Sequence, residues 1–193
     1  MNFEQARFNM VEQQIRPWEV LDSRVLSLLQ TIPREDFVPV RYRKLAFADV
    51  AVPLEAGQVM MRPKIEARML QALDVKEDET VLEIGTGSGF ITACLAAMAK
   101  RAVSVELFEE LHREAAARLE SRHTANVELF VGDVMRGWQP EAGTGTGNRW
   151  NIHHTIPRRL VADGDRVYVT LGFLDSPVSV LDAATGQILV EAL

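Results

Sequence analysis

Apolar positions recur at mixed three- and four-residue steps over residues 2–15. Phe3, Met10, Val11 and Ile15 mark one face of a helix there, and Pro17 is expected to stop it. Asp22 reads as the N-cap of a second helix whose apolar face is Val25, Leu26, Leu28 and Leu29. Pro33, Pro39 and Pro53 punctuate a long irregular stretch. Pro63 then suits the first turn of a third helix, with Ile65, Met69, Leu70 and Leu73 as its expected buried stripe. From Thr80 the pattern changes. A short apolar run ending in glycines, residues 80–85, suits a buried parallel strand. Residues 90–100 read as a helix, 102–107 as a second strand, 108–123 as a helix and 126–133 as a third strand. In the longer helix Leu111, Ala115 and Leu119 point inward, while Glu109–Arg113 and Glu114–Arg118 form outward pairs. Strand, helix, strand, helix, strand predicts a βαβαβ unit and a parallel sheet.

The alternation then breaks. Residues 141–148 are a Gly/Thr stretch with no preference for helix or strand. After it come short β runs split by Asp163-Gly164-Asp165 and by Ala184-Thr185-Gly186, both turn signals. This predicts an antiparallel meander attached to an α/β half. The chain divides into a helical N-terminal extension (1–73), a partial α/β unit (74–142) and a β meander (143–193). The connection over 143–149 is the expected site of first proteolytic attack.

Composition narrows the classes. The 193 residues are 47% hydrophobic and 25% charged, an ordinary globular balance. A net charge of −6 gives no global field to attract a polyanion, so nucleic acid is not the expected partner. No stretch approaches the roughly 20 apolar residues of a membrane span. The N-terminal segment has no apolar core after a basic head. Cys94 is the single cysteine, which excludes an internal disulfide and fits a reducing compartment. A cytoplasmic protein without a metal site is expected, with Cys94 buried rather than reactive. Adjacent His153 and His154 would point to opposite faces of a strand, a poor arrangement for joint metal ligation.

The sharpest motif is Glu83-Ile84-Gly85-Thr86-Gly87-Ser88-Gly89, between a strand and a helix. Glycines there permit a tight turn and bring backbone N–H groups to a ligand at a helix N-terminus. A dinucleotide site would want glycine where Phe90 stands, and no Gly-Lys-Ser/Thr triplet makes a nucleotide P-loop. Glu83, two residues before the first glycine, suits a cationic or hydroxyl-rich ligand better than a pyrophosphate. Glu106 ends the next strand, where an acid can accept from both ribose hydroxyls of an adenosine. Asp133 ends the third strand after Gly132, where an adenine amino group would lie. The three acids would share one crevice at the carboxyl ends of adjacent strands.

These residues resemble the S-adenosylmethionine loop of class I methyltransferases. Met10–Ile15 (MVEQQI), Asp22–Leu26 (DSRVL), Ile32–Pro39 (IPREDFVP), Ala46–Leu54 (AFADVAVPL) and Gly57-Gln58 followed by Pro63 are similar, in order and spacing, to the protein-L-isoaspartate O-methyltransferase family. Arg136-Gly137-Trp138 adds to the resemblance, which covers residues 1 to about 142 and is closest to divergent bacterial members. It implies an α/β fold: a partial class I (Rossmann-like) methyltransferase sheet with the helical extension and a short antiparallel β tail. It implies S-adenosyl-L-methionine as cofactor and methyl transfer to the free α-carboxylate of an L-isoaspartyl residue in a protein or peptide. Glu83, Gly85, Gly87 and Gly89 would hold the methionyl end, Glu106 the ribose and Asp133 the adenine. Thr86, Ser88, Leu107 and Gly132 complete the implied cofactor set. No catalytic residue is assigned: a carboxylate is already ionised at neutral pH, so no general base is required.

Two departures qualify that expectation. The repair enzymes carry a hydroxyl residue after the Gly-Gln segment, typically in Gln-Thr-Ile-Ser. Here Met61 stands at the serine's position, with Arg62 next to it as a possible charged substitute. The tail also lacks the family's fourth parallel strand and resembles one blade of a PQQ-like β-propeller, with Leu181–Gly186 as its best mark. Without strand four, the far edge of residues 80–84 is expected to stay unpaired, with the tail packed apart from the α/β half. Activity is then expected to be impaired by truncation. The alternatives are a non-catalytic S-adenosylmethionine-binding or interaction protein, or a fusion fragment.

Overall fold

The computed structural model describes residues 2–133 and, as backbone alone, strand residues 160–163, 166–170, 178–182 and 188–190. Its centre is strand β3, Thr80–Ile84, reached after helices α1 (Phe3–Met10) and α2 (Ser23–Thr31), the two-residue strands β1 (Val52–Pro53) and β2 (Val59–Met60), and helix α3 (Pro63–Leu73). Helix α4 (Phe90–Met98), strand β4 (Arg101–Glu106), helix α5 (Glu109–Ser121) and strand β5 (Val127–Val131) complete the expected βαβαβ unit. β3 pairs with β4, and β4 with β5, both parallel. The protein is an α/β fold of this parallel type.

Helix α4 explains why an N-terminal cover is needed. Eight of its nine residues are buried, so it has no face for water. A helix apolar all round must be enclosed on every side. The sheet encloses one side, with Ala102 on β4 fully buried; α2 packs against the helix on another. One hydrophobic cluster runs from Met10 and Ile15 through Leu29, Phe37 and Leu70 to Leu95 and Leu111.

The local signals hold in most places. Asp22 caps α2 by accepting from the Arg24 N–H at 2.7 Å. Pro63 occupies the first turn of α3, where its missing N–H is no loss. Leu111, Ala115 and Leu119 of α5 are buried, and the outward Glu114–Arg118 pair forms at 2.7 Å. Two expectations are corrected. The first helix does not run regularly to residue 15; after Met10 it widens into a π turn, Val11–Ile15, and tightens into a 3₁₀ turn, Arg16–Trp18, that accommodates Pro17. The buried stripe of α3 runs through Pro63, Glu66 and Ala67 rather than Ile65, which is half-buried.

The third correction concerns the far edge of β3. Strand β6, Leu160–Asp163, pairs antiparallel with it, setting Leu82 opposite Ala162 and Glu83 opposite Val161. Strands β7 (Arg166–Thr170), β8 (Val178–Asp182) and β9 (Ile188–Val190) follow as an antiparallel meander, giving the sheet order β5-β4-β3-β6-β7-β8-β9. A row of unsatisfied N–H and C=O groups is a strong template for any strand within reach, whatever its direction. The 143–149 connection, Trp138, His153 and His154 lie outside the described residues. Among the described residues no helix is long and apolar enough to cross a membrane.

Candidate cofactor site

The loop from β3 to α4 is shaped by three glycines with positive φ: Gly85 at 91°, Gly87 at 56° and Gly89 at 86°. Gly89 has a second reason to lack a side chain. A Cβ there would sit 3.1 Å from the Ala115 Cβ of α5, tighter than ordinary packing. The loop is pinned to the neighbouring strand at its start and closed on itself at its end. The Gly85 N–H donates to the Val105 carbonyl at 2.7 Å, and the Gly89 N–H closes the turn on the Thr86 carbonyl at 2.9 Å. Ser88, also buried, accepts at its Oγ from the Phe90 N–H at 3.3 Å, and its carbonyl accepts from Arg118 of α5.

Glu83 and Glu106 hold this loop from two sides. Glu83 is 5% exposed, and its Oε2 accepts from the hydroxyls of Thr92 on α4 and Ser104 on β4, the latter at 2.7 Å. Ser104 and Thr86 are 2.6 Å apart, Oγ to Oγ1. A hydroxyl has one proton, and Ser104 gives its own to Glu83, so Thr86 is the donor in that pair. The proton chain therefore runs from Thr86 through Ser104 to Glu83 and ties loop, helix and strand together. Glu106 is 4% exposed at the end of β4. Its Oε2 accepts from the Gly87 N–H at 2.8 Å and its Oε1 from the Phe108 N–H at 3.0 Å. Each carboxylate oxygen has two acceptor directions, so each can still receive a ligand hydroxyl.

The remaining sequence-predicted residues follow along the same sheet end. Leu107 is exposed beside Glu106. The Gly132 N–H donates to the Glu106 carbonyl at 2.9 Å, which brings the end of β5 alongside, and Asp133 is half-buried just beyond it. The three acids thus stand at or just past the carboxyl ends of adjacent strands, and of the three Glu83 lines the cleft that faces Met60 and Met61, whereas Glu106 and Asp133 do not.

Across from the glycine loop lies a second wall. Met60, Met61, Glu66 and Met69 line, with Glu83, Gly85–Ser88 and Phe90, one narrow cleft. The β1–β2 hairpin leans over it, the Leu54 Cδ1 lying 3.6 Å from where a Gly87 Cβ would be. Met61 and Arg62 are half-buried, with Arg62 immediately before α3. Beneath the loop is Cys94, fully buried as expected. Burial pushes its thiol well above the ordinary range, and the charges of Glu66 and Glu83 push the same way.

Sequence reasoning missed the pair under this second wall. Arg34 has no exposed surface and binds Glu66 with both ends of its fork, Nε to Oε2 at 2.9 Å and Nη2 to Oε1 at 3.2 Å. A signal for Glu66 was present: it stands three, four and seven residues before Met69, Leu70 and Leu73, an acid on an apolar stripe. Buried acids of that kind need a partner. Nothing local identifies Arg34 as that partner.

The family model for protein-L-isoaspartate(D-aspartate) O-methyltransferase matches residues 5–162, some 20 residues beyond where the resemblance was expected to stop. A protein-L-isoaspartate O-methyltransferase of Parvibaculum lavamentivorans is 41% identical over 128 residues, covering 66% of this chain and 58% of the relative. One of Maricaulis maris is 39% identical over 142 residues, covering 74% of this chain and 67% of the relative. The matches thus span about six-tenths of the length of these curated relatives. Among solved structures, a Plasmodium falciparum protein assigned as a protein-L-isoaspartate O-methyltransferase, in complex with S-adenosyl-L-homocysteine, superposes with a TM-score of 0.68 at 12% identity, covering 100% of this chain and 94% of that one. That likeness concerns the fold. The family match over most of the chain decides the rest: this protein belongs to the protein-L-isoaspartate O-methyltransferase family.

Proposed function

We propose that this protein binds S-adenosyl-L-methionine between the glycine loop and the Met60–Met61 wall and transfers its methyl group to the α-carboxylate of L-isoaspartyl residues in proteins or peptides. The observation that carries this reading is the double bracing of the loop, by Glu83 through hydroxyls and by Glu106 through the Gly87 N–H. The residues fit the group. Buried carboxylates suit a cationic, hydroxyl-bearing ligand, and the methionines give an apolar, polarisable surface without competing donors. Glu83, Gly85, Thr86, Gly87, Ser88 and Gly89 would hold the methionyl end, Glu106 and Leu107 the ribose, and Gly132 and Asp133 the adenine. The cofactor supplies an activated methyl group on a sulfonium. This chain's residues need only bind, orient and exclude water, because the accepting carboxylate is ionised at neutral pH. Alignment of two bound reactants alone lowers a barrier by several kcal/mol.

In the same reading residues 1–73 are a cover over α4, residues 74–142 the cofactor unit, and residues 143–193 a β meander akin to a single PQQ-like propeller blade. The setting is the cytoplasm, consistent with an unpaired, buried Cys94. A second reading, a binding protein without turnover, is favoured by Met61, which cannot donate to a carboxylate.

Titration calorimetry with S-adenosyl-L-homocysteine tests the site. The parent should bind, and Glu106→Ala should weaken binding by about 1–3 kcal/mol through loss of its accepted hydrogen bonds. A folded parent that does not bind defeats the proposal. Transfer of labelled methyl to an isoaspartyl peptide separates the two readings: slow transfer supports the enzyme, and none at all supports the binder.

A further inference from the structure

We infer that Arg34 is a positioning residue for the cofactor cleft: it holds the Met61 backbone in place as the wall opposite the glycine loop, with Glu66 as the clamp that aims its guanidinium. This rests on the reading that the cleft takes S-adenosylmethionine. Three observations support it. The Arg34 Nη2 donates to the Met61 carbonyl at 2.6 Å, and its Nη1 donates to the Ala46 carbonyl at 2.7 Å. Its guanidinium carbon stands 5.4 Å from the centre of the Phe90 ring, the first residue of α4. Met61, Glu66 and Phe90, three of its four partners, line the cleft.

The wall is anchored on either side of Met61: Met60 pairs with Val52 and is buried, and the Arg62 carbonyl accepts from the Ile65 and Glu66 N–H groups of α3. Strand β2 is two residues long and ends at Met60, and Pro63, which has no N–H, opens α3. Met61 lies between, its carbonyl in neither ladder nor helix and held by Arg34. A fully buried ion pair is a poor route to stability, because well-packed apolar residues in its place are often neutral or better. What the pair adds is direction. One planar guanidinium serves a carboxylate and two backbone carbonyls at once, which a lysine ammonium at the end of a flexible stem cannot do.

The test uses the full chain, a double variant Arg34→Met with Glu66→Leu, and the single variant Arg34→Lys. The double variant removes both charges together and leaves no buried ion without a partner. Melting, calorimetric titration with S-adenosyl-L-homocysteine, and amide exchange over residues 52–62 are read on each. The double variant should melt within a few degrees of the parent, yet bind at least tenfold more weakly and exchange at least tenfold faster in that segment. Arg34→Lys should not restore either property. A purely structural pair would move the melting temperature and leave affinity and exchange of the folded protein alone. A folded double variant with affinity within twofold of the parent and unchanged exchange overturns the proposal. Should the double variant not fold, the parent decides. Protection of residues 52–62 that is already in place before ligand is added supports positioning, and protection that arises only with ligand overturns it. A parent that fails to bind defeats the cofactor reading, while exchange in the variants still decides whether Arg34 fixes the Met61 wall.

Discussion

The two walls of the cleft are built by opposite means. The glycine loop is local: five residues, three glycine conformations and two neighbouring strands account for its shape. The Met60–Met61 wall is non-local. Its carbonyl is held by a side chain 27 residues away in sequence, which is held in turn by an acid 32 residues from it. The first wall can be read from a motif. The second depends on a fold that brings three separate segments to one guanidinium. The lesson is that a cleft can advertise one side in the sequence while the other depends on a charge pair that no pattern reveals.

Breaking the non-local wall should have the larger effect. Arg34→Met alone leaves Glu66 buried without its ion-pair partner and should lower stability by about 3–5 kcal/mol, measured as a shift in urea midpoint. A loss under 1 kcal/mol would mean that the pair is not buried as described.

Breaking the local wall should cost less. Gly89→Ala asks an L residue for a φ of 86° and sets a Cβ 3.1 Å from Ala115. Strain of this kind costs on the order of 1–3 kcal/mol. Denaturation should show the loss, together with weaker S-adenosyl-L-homocysteine binding. Unchanged binding in this variant would separate the loop's shape from its function.

Both walls rest on α4, and Cys94 reports on the ground beneath them. Its folded thiol is raised, so it stays neutral where the unfolded thiol, near 8.5, has ionised. Its contribution is fully present below about pH 8.5 and is lost as pH rises toward the folded value. Between those two values stability should fall by about 1.4 kcal/mol per pH unit more in the parent than in Cys94→Ala. Equal alkaline slopes in the two proteins would show that the thiol is accessible. The smallest expected change is Met61→Ser, at a half-buried position on the non-local wall. Affinity for S-adenosyl-L-homocysteine should stay within about twofold, while methyl transfer to an isoaspartyl peptide rises. No rise would show that the hydroxyl position is not what limits transfer.

Much of this was legible because the signals are short-range. Asp22, Pro63 and the inward face of α5 were fixed by residues within a few positions of each other, and so were Glu83 and the glycines. The places of the three candidate acids followed from strand ends alone. The misreadings have a common physical source. Ile65 and Glu66 are neighbours on one helix, and hydrophobicity chose the wrong one, because the buried acid is compensated from another segment. Likewise the far edge of β3 was expected to stay bare, because no parallel strand with the right pattern follows. An antiparallel partner satisfies the same backbone groups, and the apolar pattern of the tail does not specify which strand it will join.

That mixed pairing on β3 gives the two sides of the sheet different closure costs. On one side β3 meets a strand about 20 residues on, and on the other a strand about 80 residues on. Two doublings of loop length add about 1.2 kcal/mol of closure entropy to the second pairing. The β3–β4 ladder and its bracing hydroxyls can therefore form while the far edge is still open. The meander, whose own hairpins close over short distances, can pair internally before it docks. The cofactor end of the sheet would then be shaped ahead of its last neighbour, and β6 would arrive as a prefolded edge that seals a finished centre.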